Sequence, residues 1–96
     1  MEESGALGLA LGHVRNAVAG FWAVEDPSGE SLFWAAECVD LEGLFADLGV
    51  VPVFVEPGLD PLASLDAAAA VLSEARGRVP LALWAALQAV RSRASR

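Results

Sequence analysis

The stretch from Gly20 to Val39 limits the fold most. It places two apolar, aromatic runs on either side of Asp26-Pro27-Ser28-Gly29. Proline suits the first central position of a type I turn, and glycine supplies the positive φ that closes a bulged hairpin. With Asp26 opposite Glu30, Val24 pairs with Leu32 and Trp22 with Trp34, and Ala36 and Cys38 fall on the same side. One face is then wholly apolar. The other carries Glu25, Ser31 and Glu37 among Phe21, Ala23 and Phe33. A register that sorts the faces in this way predicts a β-hairpin over 21–39, with strands 21–25 and 31–39.

The same residues admit a second reading. Trp34, Cys38, Leu41, Phe45 and Leu48 recur at four-three-four-three spacing, the stripe of a helix running 27–48. That reading gives an all-α four-helix protein with 50–59 as a long connector. Two arguments weigh against it. Gly29 and Gly43 would lie inside the helix, each costing about 1 kcal/mol relative to alanine. The run Val50-Val51-Pro52-Val53-Phe54-Val55, the most strand-like in the chain, would also have no partner for its backbone.

The expected architecture is therefore α+β, in the order α-β-β-α-β-α-α. A small three-stranded sheet, hairpin 21–39 plus strand 50–55, is packed by helices, and four helices are the alternative. The first helix spans 5–19. Leu7, Leu11, Val14 and Val18 form its stripe, Ser4 its cap and Gly20 its stop. A short helix 41–48 starts at Asp40, buries Leu41, Leu44, Phe45 and Leu48, and ends at Gly49. It makes a right-handed crossover if strands 31–39 and 50–55 are parallel. Pro52 keeps its strand at a sheet edge or at the strand's start. Asp60 caps helix 62–76, with Pro61 at its first position and Gly77 past its end. Leu62, Leu65, Ala69 and Leu72 face inward. The last helix spans 80–94, with Leu83, Leu87 and Val90 inward and Trp84 beside them.

Ninety-six residues suffice for one domain, which buries roughly 60–68% of its unfolded surface. Hydrophobic residues make up 55% of the chain and charged ones 20%, more apolar side chain than a small core hides. An exposed apolar patch follows, and a homodimer is the simplest cover for it. Net charge is −7 and unevenly placed. Residues 1–75 hold all 13 acids and one base, Arg15, while 76–96 hold Arg76, Arg78, Arg91, Arg93 and Arg96 and no acid. The acidic body disfavours nucleic acid and anionic membrane. The arginines suit a helix C-terminus, where the dipole favours cations.

The start Met1-Glu2-Glu3 lacks the basic region of a signal peptide, and His13, Arg15 and Asn16 interrupt the apolar run 5–24, so no membrane span and a cytoplasmic location are expected. Lysine, isoleucine and tyrosine are absent, which points to a GC-rich, bacterial coding sequence.

No motif names a chemistry. Cys38 is the single cysteine, so an internal disulfide and a cysteine-based zinc site are excluded. Its apolar neighbours and Glu37 raise its pKa, as for a buried structural thiol. His13 lies off the stripe of its helix, exposed or at an interface, and no second histidine exists to share a metal. Glu37, Asp40 and Glu42 cluster in sequence but point apart. Gly8 and Gly12, four apart, lack the pattern of a phosphate loop and fit a close helix approach. Helices 62–76 and 80–94 outline a helix-turn-helix, but Val79-Pro80-Leu81-Ala82-Leu83-Trp84 offers no group that reads a base edge.

The expectation is a non-catalytic interaction or regulatory module without cofactor or metal. It acts as a homodimer or on another protein through an apolar, aromatic surface comprising Trp22, Trp34, Val53, Val55 and Trp84. Two other readings stand beside it. One is a small-molecule binder or enzyme with an apolar pocket between sheet and helices and Glu37 as its polar group. The other is a nucleic-acid adaptor using Arg91, Arg93 and Arg96.

Overall fold

A computed structural model describes residues 3–24, 29–58, 60–75 and 79–94, the side chains of Glu3 and Ser4 excepted. It has four helices and, among the described residues, no strand: α1 (Glu3–Ala23), α2 (Glu30–Asp47), α3 (Pro61–Glu74) and α4 (Leu81–Ala94). The expected α+β sheet is thus overturned, and the four-helix alternative holds. The α1 helix packs on α2 and α3, and these in turn pack on α4. The α2 and α3 helices sit diagonally across the bundle, and residues 48–58 lead away from α2 over the outside of α1.

The hairpin fails at both arms. Residues 21–23 extend α1 past Gly20, whose place is against the Pro61 ring, 3.2 Å from where a Cβ would sit. Residues 31–39 form the first half of α2, which continues unbroken through Asp40 and Glu42. Trp22 and Trp34 therefore lie on different helices and do not face each other across a ladder. Neither a cap at Asp40 nor a crossover to a strand exists. Turn residues Asp26, Pro27 and Ser28 lie outside the described residues, as does Gly77.

Gly29 explains the difference. Its φ is +78°, the left-handed value expected, but it stands as the N-cap of α2 and its carbonyl accepts the first helical bond, from Phe33 N–H at 3.2 Å. One of the two glycine costs counted against the long helix is therefore absent. Ala35, Cys38, Leu41 and Phe45 enter the core, and Trp34 packs against it half-buried. An apolar run satisfies its own backbone as a helix, whereas a hairpin leaves edges to be paired.

The other helix ends follow local chemistry. Gly49, at φ +74°, is the C′ residue of α2. It donates to Ala46 O at 2.9 Å, and Val50 N–H donates to Phe45 O at 3.2 Å, the paired bonds of a Schellman motif. The Asp60 side chain accepts from Ala63 N–H at 2.9 Å, with Pro61 next in line. Leu7, Leu11, Val14, Leu65, Leu72, Leu83, Leu87 and Val90 complete the core.

Residues 50–58 form no strand, which corrects the β assignment of 50–55. They make an extended strap along α1. Val53 N–H donates to Gly8 O at 3.0 Å, and Asn16 Nδ2 donates to Val55 O at 3.0 Å. From Gly8 to Gly12 a helix rises about 6 Å, and the strap covers that span in the two residues from Val51 to Val53, at roughly 3.3 Å each, as an extended chain does. Gly8 and Gly12 make this possible. A Cβ on Gly12 would sit 2.1 Å from Val53 O, and one on Gly8 2.7 Å from Val51 O. The close approach expected at these glycines is real, but the visitor is a strap and not a helix.

Candidate interaction surface

The strap buries one side only. Phe54 is 83% exposed, the highest among the described large hydrophobic residues, and Val51 is 77% exposed. Val53 is exposed and Val55 half-buried, their side chains turned toward Gly8 and Gly12. Backbone groups of an extended chain alternate in direction. Val51, Val53 and Val55 turn polar backbone atoms to α1, so Pro52, Phe54 and Glu56 turn theirs outward. An open cavity of about 350 Å³ lies between strap and helix, lined by Gly12, Arg15, Asn16, Ala19 and Pro52 to Val55. It is the counterpart of the pocket expected between sheet and helices, but no sheet forms it and Glu37 is elsewhere.

The second exposed area is the outer face of α2. Leu32, Ala36, Val39, Gly43 and Ala46 follow at four-three-four-three spacing and all are exposed. At 100° per residue they stay within about 40° of one line along the helix. Phe33 and Leu44 extend the apolar area on one side. This stripe is legible in the sequence by the same count that finds Trp34–Cys38–Leu41–Phe45. A hairpin register hides it, because residues 31–39 then alternate between the two faces of a sheet.

The residues of the aromatic surface expected from sequence come from three helices and the strap. Trp22 is 61% exposed at the end of α1, while Trp34 and Trp84 are half-buried against the core from α2 and α4. Among the described residues the one ring contact is Phe33 with Trp34, edge to face at 4.8 Å. Val53 and Val55 lie on the strap, turned toward Gly8 and Gly12.

The polar candidates are engaged in structure. Glu37 Oε2 accepts from Arg93 at 3.0 Å, and Arg91 donates twice to Asp66 Oδ1 and once to Gln88. Arg91 and Arg93 thus tie α4 to α3 and α2, while Arg96 lies outside the described residues. Cys38 is fully buried, and its thiol is pushed up to about 12 by burial first and by Glu42 and Glu37 next. Burial also raises the Glu42 carboxyl, with Arg15 opposing it. His13 is half-buried rather than exposed, its Nδ1 is buried without a hydrogen bond, and burial lowers its pKa. No three acids, histidines or cysteines among the described residues come together as a metal site. No described helix is long and apolar enough to cross a membrane.

Comparison with protein-family models, curated proteins and solved structures gives no match.

Proposed function

We propose that this chain is a non-catalytic interaction module that self-associates through its strap. The observation that carries the reading is the apolar segment 50–55, bonded to α1 on one side and bearing Phe54 almost fully exposed on the other. An outward-facing extended backbone is a template for another strand. A twofold axis at Phe54 lets each Phe54 N–H bond the other copy's Phe54 carbonyl, and each Glu56 N–H the other's Pro52 carbonyl. Pro52, lacking an N–H, removes only the reciprocal bond. Residues 50–58 carry a single charge, Glu56, so two straps meet with little repulsion despite the acidic body.

Sedimentation equilibrium over a wide dilution series tests this. Wild type is expected to reach twice the chain mass, and Phe54→Glu to remain at one chain mass with an unchanged far-ultraviolet spectrum. A wild-type mass of one chain at every concentration overturns the reading.

A small-molecule binder is the second reading, favoured by the cavity of about 350 Å³ in which Arg15 and Asn16 supply polar groups. Native mass spectrometry of freshly purified protein tests it by the presence of a retained adduct. The adaptor reading loses support, because Arg91 and Arg93 are held by Asp66 and Glu37.

A further inference from the structure

From the outer face of α2 we infer a docking site for a basic amphipathic helix of another protein, distinct from the strap and independent of self-association. The floor of this face is small. Ala36, Gly43 and Ala46 alternate with Leu32 and Val39, and a Cβ on Gly43 would meet nothing within 4 Å. Such a floor lets a second helix axis approach to about 8 Å, the close end of the usual range. Phe33 and Leu44 give one wall, and the four-three repeat matches the seam of a helix pair.

Charge selects the occupant. The α2 helix carries Glu30, Glu37, Asp40, Glu42 and Asp47 and no basic residue. Glu37 is taken by Arg93, and Glu42 is offset by Arg15. Asp40 and Asp47, exposed beside the stripe, form no salt bridge among the described residues. A second copy of α2 would set acids against acids, which disfavours self-pairing here. A helix with large apolar residues on its seam and arginine or lysine beside them meets both the small floor and the free carboxylates.

The test is fluorescence anisotropy of the full chain with a labelled three-heptad peptide carrying leucine at both seam positions and arginine at the flanking ones. Two control peptides accompany it: the same composition scrambled, and the same pattern with glutamate for arginine. The patterned basic peptide is expected to bind roughly tenfold or more tighter than either control. Asp40→Lys with Asp47→Lys together, and Val39→Asp separately, are expected to remove that preference. Far-ultraviolet spectra confirm that each variant is folded. Equal binding of the scrambled basic peptide would mean attraction to the acidic body alone and overturns the inference. So does retention of the preference in both variants. Dimerisation abolished by Val39→Asp rather than by Phe54→Glu would instead assign this face to a second copy.

Discussion

Two glycines show how one residue type takes opposite roles. Gly12 and Gly43 are both mid-helix, where alanine is favoured by about 1 kcal/mol. At Gly12 the added methyl would fall 2.1 Å from Val53 O and 2.8 Å from Val55 Cγ2. A main-chain oxygen cannot rotate away, so the strap must lift from α1, and overpacking of this kind costs about 1–3 kcal/mol. At Gly43 the methyl meets nothing within 4 Å. Urea denaturation is therefore expected to show Gly12→Ala less stable than wild type and Gly43→Ala more stable by up to about 1 kcal/mol. A Gly12→Ala variant as stable as Gly43→Ala would contradict the contact between strap and α1.

Among the elements, α3 was the most legible and α2 the least. Asp60 and Pro61 name the start of α3 because one carboxylate oxygen and one ring suffice to satisfy and preset its first turn. Asp60→Ala is expected to cost about 1 kcal/mol of unfolding free energy in urea denaturation, with Asp60→Asn recovering most of it, since asparagine caps as well. A full loss in the asparagine variant would mean that charge rather than the bond to Ala63 matters. Gly49 is legible for the same local reason. By contrast, residues 31–39 are apolar on nearly every side, so periods of two and of 3.6 both sort them into faces. Gly29 could not break the tie, because the same positive φ serves a hairpin bulge and a helix cap. What decides is not local: Ala35, Cys38, Leu41 and Phe45 are needed to fill the core against α1. The strap departs from the expected strand in a related way. Its β-branched composition did report an extended chain, but the partner is a glycine-lined helix, which no strand propensity encodes.

At the scale of the whole molecule, composition makes the pH response readable. Burial depresses the His13 pKa, so the unfolded state binds more protons below about 6.5 and stability is lost as pH falls there. Burial raises Glu42, so its contribution runs the other way and stability is regained as that carboxyl protonates. These two oppose each other on the acid side. The alkaline side is simpler, because the chain contains no lysine and no tyrosine. Cys38 ionises near 9.0 when exposed and near 12 when folded, so between these values the folded state holds a proton that the unfolded state has lost. Stability must then decline as pH rises above 9, by up to about 1.4 kcal/mol per pH unit for one proton. Urea midpoints measured at intervals from pH 8 to pH 10.5 are expected to fall in wild type and to stay level in Cys38→Ala, whatever that variant loses uniformly through its cavity. Parallel curves for the two proteins would show that Cys38 is not the buried thiol on which α1, α2 and the core converge.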